Sequence, residues 1–215
     1  MAALNCAVAH ESVGCLKPMN TPPLMETHPL PPFLPLNARL LLLGSFPPPK
    51  NRWKMDFYYP NAQNDMWRIL GLVFFGDQNY LLTADGKAYQ EGVIREFLTE
   101  KGIAISDAGY RVIRQQGNAS DKFLQVVEPV DLPALLAQLP ECHALATTGD
   151  KATETLLAMM PPETAKPVIG GCSHTVVDGR ALALWRLPSS SRAYPLPLAQ
   201  KAERYRQVFE AIGLL

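Results

Sequence analysis

Residues 39–49 read RLLLLGSFPPP, and the first part of this stretch, 39–44, sets the fold class. A nearly all-apolar run that ends in glycine is typical of a β-strand buried on both faces of a sheet. Further along, short apolar runs alternate with segments whose apolar residues recur at helical spacing. The runs are 103–106, 143–148, 176–178 and 181–187, and the helical segments are 65–74, 86–101, 132–139, 150–160 and 196–212. Strands alternating with helices predict a parallel sheet with helices on both faces.

The length of 215 residues suits one α/β domain with a substantial core. Residues 1–30 are dense in proline, which disfavours regular helix and central strand, so we expect a leader that is partly extended or disordered. Residues 31–215 are then expected to form a single domain. No run approaches the roughly 20 apolar residues of a membrane span, and no signal peptide is recognisable. We therefore expect a cytoplasmic monomer that does not bind a membrane.

The charge balance gives no global indication of a nucleic-acid partner, because 20 Lys and Arg residues match 20 Asp and Glu residues. A DNA-binding hypothesis must therefore depend on local cations, each of which is by itself typical of an ordinary solvated surface. The candidates are Lys50, Arg52 and Lys54, the pair Arg111 and Arg114, and the pair Arg186 and Arg192.

The four cysteines are Cys6, Cys15, Cys142 and Cys172, and they contain no C-x-x-C pair. The spacing therefore lacks the usual pattern of a zinc site and argues against an iron–sulfur cluster. We expect free, mostly buried thiols, and neither a metal nor another cofactor.

Ligands of parallel sheets bind at the carboxyl ends of the strands, which directs attention to the residues after Gly44, Ser106 and Leu187. A proline-rich loop follows Gly44 and continues into a run of cations and aromatic rings that reaches Tyr59. Cations hold a nucleic-acid backbone and rings stack on bases, so this loop suits a site for phosphates and a base. A packed Ω-type loop whose rings form a small core of their own is the alternative.

Two more segments allow two interpretations each. In 58–68, YYPNAQNDMWR, Asn64 either caps the helix that starts beside it or turns its amide, a donor and an acceptor, toward a ligand. In 187–192, LPSSSR, consecutive serines at a strand exit suit phosphate oxygens, and a flexible serine loop is the alternative. Asp107 ends the second strand, where it either shapes a pocket floor or caps the next turn.

Taken in order, these segments resemble the uracil-DNA glycosylase superfamily, and most closely its hypoxanthine-DNA glycosylase and mismatch-specific uracil-DNA glycosylase branch. The resemblance is carried by GSFP at 44–47, by the Tyr-Tyr, Asn and Trp spacing of 58–67, and by LPSSS at 187–191. Weaker likenesses are ISD at 105–107 with Arg114 and Gly117, and GDKA at 149–152. The resemblance covers roughly residues 25–215. It implies a three-layer α/β/α fold with a central, mostly parallel four-stranded sheet.

The resemblance also implies a monofunctional DNA glycosylase of base-excision repair. Such an enzyme flips a deaminated base, uracil or hypoxanthine, out of DNA and hydrolyses its N-glycosidic bond. Asn64 would be the main catalytic residue, binding the base or orienting water, with Ser45 beside it. The base pocket would comprise Phe46, Tyr58, Tyr59, Asn61 and Asp107. The DNA backbone would be held by Ser189, Ser190, Ser191, Arg192, Lys50 and Arg52.

The chain departs from this branch at several positions. Asn61, Ala62 and Gln63 replace a His-Pro-Arg sequence, and Phe46 stands where many superfamily members carry a water-orienting Asp or Asn. These departures motivate an alternative, a nucleic-acid-binding member of the fold with impaired catalysis.

A small-molecule hydrolase with Ser45 or Ser190 as nucleophile is a further alternative. It requires a histidine base within reach and a G-x-S-x-G elbow, and the sequence has no such elbow. His143 and His174 are the candidate histidines for stabilising a departing base, although a lone histidine is more often structural.

Overall fold

A computed structural model describes residues 24–115 and 120–215. Cys6, Cys15 and Gly117 lie outside these ranges, as does most of the expected leader, so the proposed domain boundary at residue 30 stays a prediction. No helix of the described ranges is both long and apolar enough to cross a membrane.

The strands are β1 Met25–Thr27, β2 Leu40–Gly44, β3 Ile103–Asp107, β4 Gly109–Arg114, β5 Leu124–Pro129, β6 Ala144–Thr148, β7 Cys172–Val177 and β8 Arg180–Leu187. The helices are α1 Met66–Phe75, α2 Glu91–Lys101, α3 Leu132–Ala137, α4 Asp150–Leu157 and α5 Leu198–Ala211.

The central sheet has the strand order β3-β2-β6-β8-β7. The first four of these strands are parallel, and β7 pairs antiparallel with β8 at the edge. The predicted hairpin turn joins β7 to β8: Asp178 and Gly179 adopt φ angles of 49° and 77°. The expected sheet of four mostly parallel strands is therefore present, and the hairpin extends it by one antiparallel strand.

Strand β2 shows why the fold has three layers. Leu40 and Leu42 pack on one face of the sheet against α1, α2 and α5. Leu41 and Leu43 pack on the opposite face against α3 and α4. Because side chains alternate across a strand, a run of leucines buried on both faces needs a helical layer on each side. The predicted α/β/α class is confirmed.

A second sheet was not predicted. Its three antiparallel strands have the order β1-β4-β5, and β4 and β5 form a hairpin. Only Val112 in β4 and Leu124 in β5 are buried apolar residues, so the apolar pattern of these strands is weak. Strand β1 comes from the segment that the sequence assigns to the leader, and Glu26 in it pairs with Val112.

Two local expectations need correction. The helix expected over 86–101 begins at Glu91, because Gly86 has a φ of 66° and the Thr83 amide donates to the Ala88 carbonyl, which closes a turn there. Of the two cysteines in the described ranges, Cys142 is buried as expected but Cys172 is exposed, since it begins the edge strand β7.

Candidate functional site

The carboxyl ends of β2, β3, β6 and β8 meet at one edge of the central sheet, where a cavity of about 570 Å³ opens. This volume lies within the roughly 300–1,000 Å³ of typical ligand sites. Three loops that are distant in sequence meet here. The predicted site residues that line the cavity are Ser45, Phe46, Arg52, Tyr59, Asn61, Asn64, Asp107, Ser189, Ser190, Ser191 and Arg192.

The floor of the cavity depends on the missing side chain of Gly44. A β-carbon there would lie 2.2 Å from Asp107 Oδ1 and 3.1 Å from the Tyr59 hydroxyl oxygen, so only glycine leaves room for both groups. The Tyr59 hydroxyl lies 3.1 Å from Thr148 Oγ1, at the end of β6. Burial, followed by the charge of Asp107, raises the pKa of Tyr59 well above its ordinary value. The floor therefore combines a carboxylate with neutral hydroxyl groups.

Asp107 is paired with His28, a residue of the segment that the sequence assigns to the leader. The distance from His28 Nε2 to Asp107 Oδ2 is 2.9 Å, and both side chains are almost fully buried. His28 Nδ1 lies 2.8 Å from the Leu30 carbonyl oxygen. Burial alone would lower the pKa of His28, but the hydrogen bond and charge of Asp107, together with the Leu30 carbonyl, raise it overall.

Nε2 must carry a proton to donate to the Asp107 carboxylate, while Nδ1 lies 2.8 Å from the carbonyl oxygen and 3.2 Å from the amide nitrogen of Leu30. The pair uses only Oδ2 of Asp107. Oδ1 has no hydrogen-bond partner among the described residues, and it lies beside Gly44 on the cavity floor. The structure thus leaves one carboxylate oxygen as an acceptor for a ligand.

Phe46 forms an aromatic wall of the cavity. Its ring meets the His28 ring edge-on, with centroids 5.2 Å apart, and the Arg114 guanidinium lies 5.3 Å from its centroid. Arg114 also pairs with Glu26 at 2.8 Å and donates to the Pro47 carbonyl, so it fixes this loop and is not available to DNA. Phe46 offers a stacking surface but no atom that could orient a water molecule.

Asn64 precedes Asp65, the N-cap residue of α1, and its side chain binds the first amide of the helix while it lines the cavity. Its Oδ1 accepts a hydrogen bond of 2.9 Å from the Met66 amide, and its carbonyl oxygen accepts one of 3.2 Å from the Tyr89 hydroxyl. The helix-cap position that the sequence offered to Asn64 is taken by Asp65, and the bond to the Met66 amide occupies only Oδ1 of Asn64. In the described ranges Nδ2 has no partner and remains a donor for a ligand.

The serine loop, residues 188–192, is attached to the start of α1 and to α5. The Asp65 amide donates to the Ser190 carbonyl at 2.8 Å. Lys201 of α5, whose side chain is 1% exposed, donates to the Ser191 carbonyl at 2.7 Å and lies 3.5 Å from Asp65 Oδ2. These contacts tie the loop to a buried ion pair, which argues against the flexible serine loop.

The predicted backbone-binding residues of this loop differ in availability. Ser190 is 2% exposed and points into the fold. Ser189 and Ser191 use their hydroxyl oxygens to accept amide hydrogen bonds from residues 191 and 193, which leaves each hydroxyl hydrogen available. Arg192 Nε lies 2.8 Å from Asp65 Oδ1, so only the far end of its guanidinium is available to a ligand.

Ser45 contacts a carboxylate that the sequence analysis did not single out. Its hydroxyl donates a 2.7 Å hydrogen bond to Asp121 Oδ1, and Asp121 also lines the cavity. No histidine of the described residues contacts Ser45 or Ser190, which removes the basis for a serine hydrolase. His143 and His174 line a separate depression along β7 and β8.

Two predicted site residues lie outside the cavity lining. Tyr58 is buried in the core and donates to the Pro31 carbonyl, whereas its neighbour Tyr59, with a φ of 49°, lines the cavity. Lys50 pairs with Asp56 and lies over the Trp53 ring, on the outside of the loop.

Most of the other candidate cations are also engaged in ion pairs. Their acidic partners are Glu128 for Arg111, Glu26 for Arg114, and Asp150 for Arg186. Arg52 and Lys54 are exposed and have no ion-pair partner within the described ranges. Of these two cations, Arg52 lines the cavity.

The sequence analysis missed His28, Asp121 and Thr148 as neighbours of the site. Thr148 could have been found, because it ends β6 and so belongs to the same edge as Gly44 and Asp107. His28 and Asp121 carry no such signal. They reach the cavity through the second sheet, whose pairing was not predicted.

Comparison with known proteins shows a similarity of fold to a solved structure. No protein-family model matches the sequence, and no curated protein matches it. Among solved structures, the chain is similar to the solution NMR structure of a Methanosarcina acetivorans protein that is provisionally assigned as a uracil DNA glycosylase. The two chains are 22% identical, the alignment covers 88% of this chain and 99% of that chain, and the TM-score is 0.59. The chain therefore shares the α/β fold of that protein.

Proposed function

We propose that the chain is a monofunctional DNA glycosylase that flips a deaminated base, uracil or hypoxanthine, into the cavity and hydrolyses its N-glycosidic bond. The product would be an abasic site, as in base-excision repair. One observation carries the proposal: a single cavity at the carboxyl edge of the sheet holds a free acceptor, Asp107 Oδ1, and a free donor, Asn64 Nδ2. The fold that the chain shares with the archaeal protein agrees with it.

The two free groups match the chemistry of a deaminated base. Uracil and hypoxanthine carry a ring N–H next to a carbonyl, which needs an acceptor and a donor in the same site. Asp107 would accept the ring N–H, and the Asn64 amide would donate to the carbonyl oxygen. Phe46 would stack on the base, as aromatic side chains do with extruded bases.

The same residues favour the breaking of the bond. Negative charge grows on the leaving base in the transition state, and a fixed amide donor in a site shielded from water stabilises it. The Met66 amide fixes the Asn64 side chain through Oδ1, so its Nδ2 needs little reorganisation. Tyr59 and Thr148 contribute neutral hydroxyls on the floor, and these add no charge that would repel the departing anion.

The rim of the cavity would hold the DNA backbone. Ser189 and Ser191 offer hydroxyl hydrogens, and Arg52 offers a cation without an ion-pair partner in the described ranges. Hydroxyl and guanidinium donors are the usual partners of phosphate oxygens. A neutral chain with few free cations should bind undamaged DNA weakly, so recognition would depend on the flipped base.

Release of free base tests the proposal directly. Purified protein is incubated in EDTA with oligonucleotides that each carry one uracil or one hypoxanthine, and free base and abasic sites are measured. Asn64→Ala should lower the rate about 100-fold, the scale of losing one aligned donor in the transition state.

The variant Asn64→Asp separates a catalytic role of Asn64 from its structural bond to the Met66 amide. The carboxylate keeps the acceptor for the Met66 amide but removes the donor, so this variant should melt like the wild type and still lose activity. If Asn64 only holds the Met66 amide, Asn64→Asp will retain the wild-type rate. That result would show that Asn64 has no role in catalysis.

A second candidate function is nucleic-acid binding without catalysis. It is favoured by Phe46, which has no polar atom at a position where water could be oriented. Tight binding of oligonucleotides that contain uracil or hypoxanthine, with every base left intact, would support this candidate over the glycosylase.

A further inference from the structure

Hydrolysis requires a group that takes a proton from the attacking water, and the roles proposed above leave this group unassigned. The Asn64 amide is not basic, and the side chain of Phe46 carries no polar atom. Among the described residues that line the cavity, the carboxylates are Asp107 and Asp121. Asp107 is engaged by His28 through Oδ2, and its other oxygen is the acceptor for the base. Asp121 is the remaining carboxylate.

Asp121 is held in a geometry that suits a water molecule. It begins the 3₁₀ turn Asp121–Phe123, between β4 and β5. The Ser45 hydroxyl fixes Oδ1 with its 2.7 Å hydrogen bond, and the Ser45 backbone is itself fixed because its carbonyl accepts from the Gly109 amide at 3.1 Å. Oδ2 accepts no hydrogen bond from the described residues. One oxygen is thus anchored while the other can accept.

The charges around Asp121 come from three elements: Asp107 at the end of β3, Lys151 in α4 and Arg114 in β4. Burial raises the pKa of Asp121, the Ser45 hydrogen bond lowers it, Asp107 raises it, and the two cations lower it. The balance leaves this pKa above its ordinary value. A carboxylate with a raised pKa is a stronger proton acceptor, as general base catalysis near neutral pH requires.

We propose that Asp121 is the general base of the reaction, the group that holds the attacking water and accepts its proton. The proposal rests on the glycosylase function proposed above. As the bond between C1′ and the base nitrogen breaks, its electron pair leaves with the base. The water oxygen bonds to C1′, and the proton that it loses passes to Asp121 Oδ2. Asp121 then releases this proton to solvent, and the departed base takes one up.

The test is the pH profile of single-turnover base release from a uracil or hypoxanthine oligonucleotide, between about pH 5 and pH 9. In the wild type the rate should fall toward acid pH, because protonated Asp121 cannot accept a proton. Asp121→Asn should be about 100- to 1,000-fold slower at neutral pH, without this acid limb, while its affinity for DNA stays within about threefold. Glu128→Gln is the matched control, an exposed acid of the same hairpin that pairs with Arg111, and it should keep the wild-type rate and profile.

Ser45→Ala provides a second readout that does not depend on the folding of Asp121→Asn. It keeps the carboxylate but removes a hydrogen bond that lowers the pKa of Asp121, so the acid limb should move to higher pH. An acid limb that stays in place in Ser45→Ala, or that persists in Asp121→Asn at the wild-type rate, overturns the assignment while the glycosylase function stands. If the wild type releases no base from either oligonucleotide, the function and the assignment fail together.

Discussion

At the scale of single residues, the ion pair of His28 and Asp107 links the stability of the fold to the cavity. Both side chains are almost fully buried, and the pKa of His28 is raised overall by Asp107 and Leu30 despite its burial. A raised pKa in the folded state means that the charged pair stabilises the fold below the ordinary histidine pKa. This contribution is lost as pH rises through the raised pKa.

Replacement of His28 by Gln should therefore destabilise the protein in a pH-dependent way. At about pH 5.5 the free energy of unfolding should fall by about 2 kcal/mol, the scale of a hydrogen bond between charged groups. The difference from the wild type should shrink as pH rises, because the wild-type imidazolium loses its proton. Chemical denaturation across the pH range measures this, with His143→Gln, an exposed histidine, as the control. A difference that is constant with pH would show that folding does not raise the pKa of His28.

Single residues were predictable where they follow a strand. Phe46 and Asp107 were placed near the cavity because the ends of parallel strands bring their loops to one edge, whereas Asn64 was singled out by its position before α1 and by the family resemblance. The orientation of side chains was not predictable in the same way. Tyr58 and Tyr59 are neighbours with the same side chain, yet one ring lies in the core and the other lines the cavity, and Tyr59 adopts a left-handed backbone. The sequence contains no glycine or asparagine at that position to indicate such a backbone.

At the scale of elements, a buried charge cluster joins α1, α5 and the serine loop. Asp65 precedes α1 and lies between Arg192 and Lys201, while Lys201 also donates to the Ser191 carbonyl. Removal of one partner from a buried ion pair leaves an uncompensated charge, which costs more than the pair itself contributes. The position of the loop thus depends on a lysine that would be taken for a surface residue of α5.

Lys201→Met should lower the free energy of unfolding by about 3 kcal/mol, because Asp65 is left with Arg192 alone. Gln200→Met, at the exposed neighbouring position of α5, should change it by less than about 0.5 kcal/mol. Thermal and chemical unfolding of the two variants measure both values. Equal stability of the two variants would mean that the cluster is not a support of the loop.

Whether a strand or helix could be predicted from the sequence depends on how deeply its residues are buried. The central strands and α1 were located correctly because they carry dense apolar runs or clear helical spacing. The antiparallel hairpin of β4 and β5 was missed because its residues are largely exposed and polar, so its pairing is set by contacts that are distant in sequence. The shortening of α2 has a local cause, the turn around Gly86, and a glycine within a helical pattern was the available signal.

At the scale of the whole molecule, residues 24–29 contribute to the fold and to the site. Strand β1 pairs with β4, and His28 holds Asp107 from beneath the cavity. The domain boundary proposed at residue 30 therefore cuts through contacts that the site uses. We therefore predict that the domain boundary lies before residue 24, and this can be tested.

Two shortened chains test this boundary. A chain that begins at Leu24 keeps β1 and His28 and serves as the reference. A chain that begins at Pro29 loses both and should melt roughly 4–8 °C lower, for a loss of about 2 kcal/mol. Differential scanning calorimetry measures the difference. Equal melting temperatures for the two shortened chains would contradict a structural role for residues 24–28.

The order of strands in the central sheet has a consequence for synthesis. Strand β2 emerges from the ribosome early, but one of its two parallel neighbours, β6, follows about a hundred residues later, and β8 and the serine loop come later still. Contacts that join distant parts of a chain cannot form before both parts exist. Lys201, which anchors the serine loop, belongs to the final helix, α5. A nascent chain therefore cannot carry a complete cavity until β8, the serine loop and α5 have all been synthesised.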